Sequence, residues 1–419
     1  FVLDIEQQIP QHKQQTAPQP YLIPVNIALF DQHGEALALH LQESTEHACD
    51  AMLLTLTDHQ QRFVFEHITT QPVPSFLQNF SAPVKLEYAY SVDDLTLLMA
   101  HEKDTFNRWD AGQRFATEWM LDAVVALMTG AAVADAEAYI EALKITIEDA
   151  SLDAAFLAEM LVLPSESYLA EFMQPVEVDA IHQARLGLMK KIADALEAQL
   201  LDLYHQHHVA GEYHYTAESM GRRRLAAVCL SYLCSLNKQD YWQLAHKQYS
   251  QANNMTEKMS ALDAVNDSTD PIRAELIADF GAAWQHDSLV MDKWLSLQAR
   301  SRQEGVIETV KQLLDHPCFS ITNPNKVRAL IGGFCMANPT AFHAKSGAGY
   351  AFLTEQIIKL DAINPQVASR LVKPLIDWQK YDQQRQTLMR ASLQKVKATA
   401  DLSRDVFELV DRSLAAADD

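Results

Sequence analysis

The chain has 419 residues, of which 48% are hydrophobic and 21% charged, enough for more than one core and ordinary for a globular protein. Its 34 basic and 55 acidic residues leave a net charge of −21, which repels nucleic acid and anionic lipid. No apolar run approaches the length of a membrane span.

Residues 1–90 read as β. Phe1, Leu3 and Ile5 alternate with polar positions, and Val25, Ile27 and Leu29 do so before the turn signal Asp31 to Gly34. Met52, Leu54 and Leu56 form a further period-2 run, followed by Phe63 and Phe65, then by Val84, Leu86, Tyr88 and Tyr90. Short strands between Pro- and Gly-containing turns predict a small β-sandwich.

From Ser91 the apolar period becomes that of a helix. Trp109, Ala116, Met120, Ala123 and Leu127 mark one helix, with Gly130 placed as its C-cap. Ile181 through Leu203 mark a single long one. Helix starts then recur near Asn254, Asp270, Ser288, Gly305, Asn323, Gly349, Asn364, Gln383 and Ser403, mostly 16 to 20 residues apart. Two such steps make a unit of about 35 residues, the size of a helical hairpin repeat. Asp270-Pro271, Asn323-Pro324 and Asn364-Pro365 each set a capping side chain before a proline at the first helical position. The expected fold is therefore mainly α with a small all-β N-terminal domain. Residues 1–90 form the sandwich, and residues 91–419 form an α-solenoid of HEAT- or armadillo-like hairpins.

The stretch Asn364 to Gln379 carries the most information. Ala368, Leu371, Leu375 and Trp378 make an apolar stripe, while Gln366 and Arg370 project together from a neighbouring face. Pro374 cannot donate to the carbonyl of Arg370 and is expected to kink the helix. A cation early in a long helix opposes the macrodipole, so Arg370 calls for an anionic or carbonyl partner. Periodicity alone is equally content with a solvated arginine on a buried helix.

Other candidate chemistry is thin. His101-Glu102-Lys103-Asp104-Thr105 begins like the zinc helix H-E-x-x-H but ends in Thr, so the second ligand is missing. His205, His207, His208 and His214 offer an i, i+3 pair that a polar helix end explains as well. Arg222 to Arg224 read as a solvated helix start, and Ser346-Gly347-Ala348-Gly349 lacks the lysine and strand of a phosphate loop. Five cysteines without C-x-x-C indicate free thiols and a cytoplasmic, reducing setting. The start at Phe1, with no Met and no signal-type segment, reads as a piece of a longer chain.

Seven segments carry a family resemblance: QPVPSFLQNFSAPVKLEY (71–88), HEKDTFNRWDA (101–111), QANNMT (251–256), LVMDKW (289–294), NPNKVRALIGGF (323–334), NPTAFHAKSGAGY (338–350) and NPQVASRL (364–371). Together they resemble the C-terminal half of the bacterial aminopeptidase N family of zinc-dependent gluzincin peptidases. The resemblance implies a β-sandwich third domain, lacking its first strand, and a helical fourth domain that closes over the active site as a chamber wall. It implies Gln366 beside the pocket for the substrate's N-terminal side chain, Arg370 on the bound peptide, and Arg328 lining the same chamber. It also implies that the zinc and catalytic motifs belong to the parent enzyme. The expected partners are then peptides and the missing N-terminal and catalytic domains, with no cofactor in this chain and no membrane. The competing expectation is a free-standing solenoid scaffold that binds a protein partner on its concave face.

Overall fold

The computed structural model describes residues 1–9, 19–42, 47–208 and 211–415. It is 61% helical with a small β region at the N-terminus. Five strands make that region: β1 (Val2–Glu6), β2 (Ile23–Phe30), β3 (Met52–Leu56), β4 (Gln60–Val64) and β5 (Val73–Phe76). β1 pairs antiparallel with β4, and the second sheet has the order β3-β2-β5. The registers set Leu3 opposite Phe63 and place Ile27 between Met52 and Phe76. Leu3 and Phe63 from one sheet meet Val25, Ile27, Leu29, Leu54 and Phe76 from the other in one core. Each such side chain contributes about 1.5–3 kcal/mol by leaving water, so the alternation expected from sequence is the sandwich core itself.

Two differences from the sequence reading have local causes. The alternating run Val84 to Tyr90 forms no strand. Leu86, Tyr88 and Tyr90 nonetheless pack on the sandwich core, and the Tyr90 hydroxyl donates to the Pro74 carbonyl at 2.9 Å. The period-2 signal thus reports side-chain burial without a ladder. The strand that does complete the second sheet, β5, contains Pro74, which lacks a donor and sits on the sheet's edge.

The helices begin at Ser91, whose side chain and that of Asp94 form a reciprocal capping box. The helix Thr105–Thr129 ends at Gly130 in the left-handed conformation, as its sequence position requires. The long periodic run is broken into Val178–Ala195 and Glu197–His207 at Leu196, with φ −112° and ψ 22°. Caps at Asn254, Asp270, Asn323 and Asn364 all accept from the first turn of their helices. Successive helices pack as neighbours, for example Glu197–His207 on Ala217–Ser235 and Gln239–Gln251 on Met255–Val265. By packing, the chain divides into two compact units, Phe1–Trp119 with Ala134–Pro164, and Met120–Val133 with Ser165–Asp419. No helix among the described residues is long and apolar enough to cross a membrane.

Candidate functional site

Asn364 caps its helix by accepting from the Val367 amide at 3.2 Å, with Pro365 at the first helical position. The helix runs only from Pro365 to Leu371 and resumes as Lys373–Ile376. The break lies where Pro374 has no N–H for the carbonyl of Arg370, and the Val372 amide turns to Ser369 instead, at 3.3 Å. Ala368, Leu371, Leu375 and Trp378 are buried. Gln366 and Arg370 share the exposed face, one turn apart, and neither side chain has a hydrogen bond or ion pair among the described residues.

Arg370 does not oppose the helix dipole, contrary to the expectation from sequence. Because the helix ends at Leu371, Arg370 stands in its last turn, where a cation is favoured. Its position needs no anionic partner for local reasons, and its guanidinium is left available.

Arg328 is placed differently. It lies in a π-helical turn, Arg328–Gly332, and is exposed, but Nε donates to the Pro324 carbonyl at 3.3 Å and Nη2 donates to Asn325 Oδ1. Its segment packs on the helix Ser288–Ala299, whereas Pro365–Leu371 packs on Ala348–Asp361 and Arg404–Ala415. Two of the three expected residues thus share a face, and the third is tied to its own turn on another layer.

Directly beyond Arg370, Lys373, Pro374 and Asp377 line a cavity of about 610 Å³. Val178, Ile181, Met336 and Pro339 give it apolar walls. Glu166 anchors its polar side: Oε1 is 2.9 Å from His182 Nδ1 and accepts from Arg302 Nη2 at 3.0 Å. Burial pushes the Glu166 carboxyl up, and the His182 hydrogen bond and Arg302 charge outweigh it, leaving the group below its usual range. His343 also faces the cavity, stacked against Tyr381 with ring centroids 4.3 Å apart. Burial, reinforced by the nearby Arg385 charge, lowers His343 to about 3, so its ring is neutral. Sequence reasoning missed Glu166 and Arg302. They are 136 positions apart and no local pattern joins them.

The residues do not fit a zinc centre. Among the described residues no three His, Cys, Asp or Glu side chains are placed to hold a metal. Glu102 of the H-E-x-x-T segment is buried and accepts from Gln78 Nε2 at 3.1 Å and from the Asp104 amide at 2.8 Å. His205 and His208 pack their rings on Tyr204. Burial pushes the Cys229 and Cys234 thiols up to about 12 and raises those of Cys318 and Cys335, which disfavours the thiolate at all four.

Comparison with known proteins follows the same division. The family described as "Domain of unknown function (DUF3458) Ig-like fold" matches residues 1–89, and "Domain of unknown function (DUF3458_C) ARM repeats" matches residues 92–415. The chain is 38% identical over 415 residues to "Aminopeptidase N" of Escherichia coli (strain K12), covering 99% of this chain and 47% of that protein. It is 36% identical over 414 residues to "Aminopeptidase N" of Haemophilus influenzae, again 99% of this chain and 47% of the relative. The chain therefore spans about half the length of the curated relatives it matches. A solved structure, Legionella pneumophila aminopeptidase A in complex with aspartic acid, superposes with TM-score 0.80 at 30% identity, covering 94% of this chain and 45% of that one. The chain belongs to the DUF3458 family, an Ig-like domain followed by ARM repeats that together fit the C-terminal part of aminopeptidase N.

Proposed function

We propose that this chain is the non-catalytic part of a zinc-dependent aminopeptidase that removes N-terminal amino acids from peptides in the cytoplasm. Its helical region encloses the substrate chamber, and the zinc-holding residues belong to the remaining half of the enzyme. Gln366, Arg370 and Arg328 are the side chains it offers to the peptide. The observation that carries this reading is similarity to aminopeptidase N along 99% of the chain. The exposed, unpartnered guanidinium of Arg370 supports it from the structure, since nothing in the described fold uses that group.

The test is Arg370→Ala in the complete enzyme. A guanidinium on a peptide carbonyl or carboxylate is worth about 1.5–3 kcal/mol. Losing it lowers kcat/KM for tetrapeptides by roughly 10–100-fold. A single-residue arylamide reaches only the inner subsites and should lose much less. Lys at position 370 should rescue in part, keeping charge without the planar fork. Equal losses for tetrapeptide, dipeptide and arylamide would remove Arg370 from the substrate contacts.

A further inference from the structure

The polar face that carries Gln366 and Arg370 does not stop at Leu371. Val372 keeps helical dihedrals, φ −69° and ψ −26°, so Lys373 follows Arg370 by three residues on the same side. Lys373 is exposed and has no carboxylate or carbonyl partner among the described residues. At 1.5 Å per residue, Gln366 to Lys373 covers about 10 Å along the helix axis. An extended peptide covers that distance in about three residues.

Lys373 lines the 610 Å³ cavity, whose composition differs from that of the chain as a whole. The chain carries net charge −21, yet the cavity has four cations, Arg185, Arg302, Lys373 and Lys380, against Glu166, Glu171 and Asp377. Arg302 is engaged by Glu166 and Asp267, and Lys380 lies 3.8 Å from Asp377. Arg185 has an interaction of its own, which leaves the Lys373 ammonium as the cation without an acceptor among the described residues. Glu166 is committed inward: its side chain is only 9% exposed, with Arg302 on Oε1 and Oε2 buried.

We propose that this cavity receives the C-terminal residue of a peptide lying along Gln366 and Arg370. The terminal carboxylate pairs with Lys373, and the terminal side chain rests on Val178, Ile181, Met336 and Pro339. The inference rests on the peptide reading above and narrows it to short peptides with a free carboxylate and an apolar last residue. Its test needs no turnover, so it stands or falls apart from the activity.

Saturation-transfer NMR on this chain would use Ala-Ala-Ala-Leu, its C-terminal amide, and free leucine. The expected result is transfer to the terminal leucine methyls of the acid, with affinity about tenfold weaker for the amide and for Lys373→Met. Lys373 is exposed, so this variant keeps the fold. Met336→Trp, which fills the cavity from an exposed wall position, should abolish the leucine signal while leaving Lys373 in place. Free leucine, which cannot reach Arg370, should bind more weakly than the tetrapeptide. Absence of binding, equal binding of acid and amide, or indifference to both variants would overturn the proposal, as would leucine binding as well as the tetrapeptide.

Discussion

Arg385 and Arg370 show how differently the same residue type can be used. Arg385 is 2% exposed and donates to the His343 carbonyl at 2.7 Å, to Asp382 at 2.7 Å and to Asp179 at 3.0 Å. Arg385→Met should destabilise the chain by about 1–3 kcal/mol in denaturant titration, because it leaves the buried His343 carbonyl without its donor. Arg370→Ala, on an exposed face with no partner among the described residues, should change stability by less than about 0.5 kcal/mol. A large loss from Arg370→Ala would show that it supports the fold. His343 gives the pH dependence. Its folded value of about 3 lies below the ordinary 6.5, so folding favours the neutral ring. That stability is complete above pH 6.5 and declines as pH falls toward 3, at about 1.4 kcal/mol per unit. Glu166 adds a loss of the same sign at lower pH, since its folded value is also depressed. His343→Gln should flatten the stability profile between pH 6.5 and 4.5; an unchanged slope would place the buried charge cost elsewhere.

Helix starts were the most legible elements, because Asn or Asp before Pro is a chemical requirement that a sequence displays. The end of a helix was harder to read. Nothing at Leu196 resembles Pro or Gly, and the apolar period runs through it, so two helices looked like one. The short helix at Pro365–Leu371 was half legible: Pro374 announced a break, but not that Arg370 would fall in the last turn. Gly349, where a helix start was expected and a helix does begin at Ala348, has a second role: a Cβ there would run into the Phe342 carbonyl oxygen, so this glycine permits close helix packing. Gly349→Ala should cost about 3 kcal/mol or more, as overpacking against backbone does. Gly187, inside Val178–Ala195 with open space around its Cβ position, should instead gain about 0.5–1 kcal/mol on change to Ala. Thermal melts of the two variants compare these directly, and similar shifts would contradict the packing account.

For the whole molecule, the fold class was written in two periodicities, 2 up to about residue 90 and 3.6 afterwards. The candidate site was written only in part. Gln366, Arg370 and Lys373 sit on one short stretch, but the cavity beside them joins Glu166, Arg302 and His343 across 177 positions, from 166 to 343. Such a juxtaposition belongs to the stacking of helices and leaves no spacing to read. The central claim is that this chain shapes a peptidase without performing its chemistry. The most direct measurement compares leucine arylamide hydrolysis and bound zinc for this chain alone, for the other half of the parent enzyme alone, and for the two combined. The account predicts no turnover and no tight zinc in this chain, with activity on the combined halves. One equivalent of tightly held zinc and turnover in this chain by itself would contradict it.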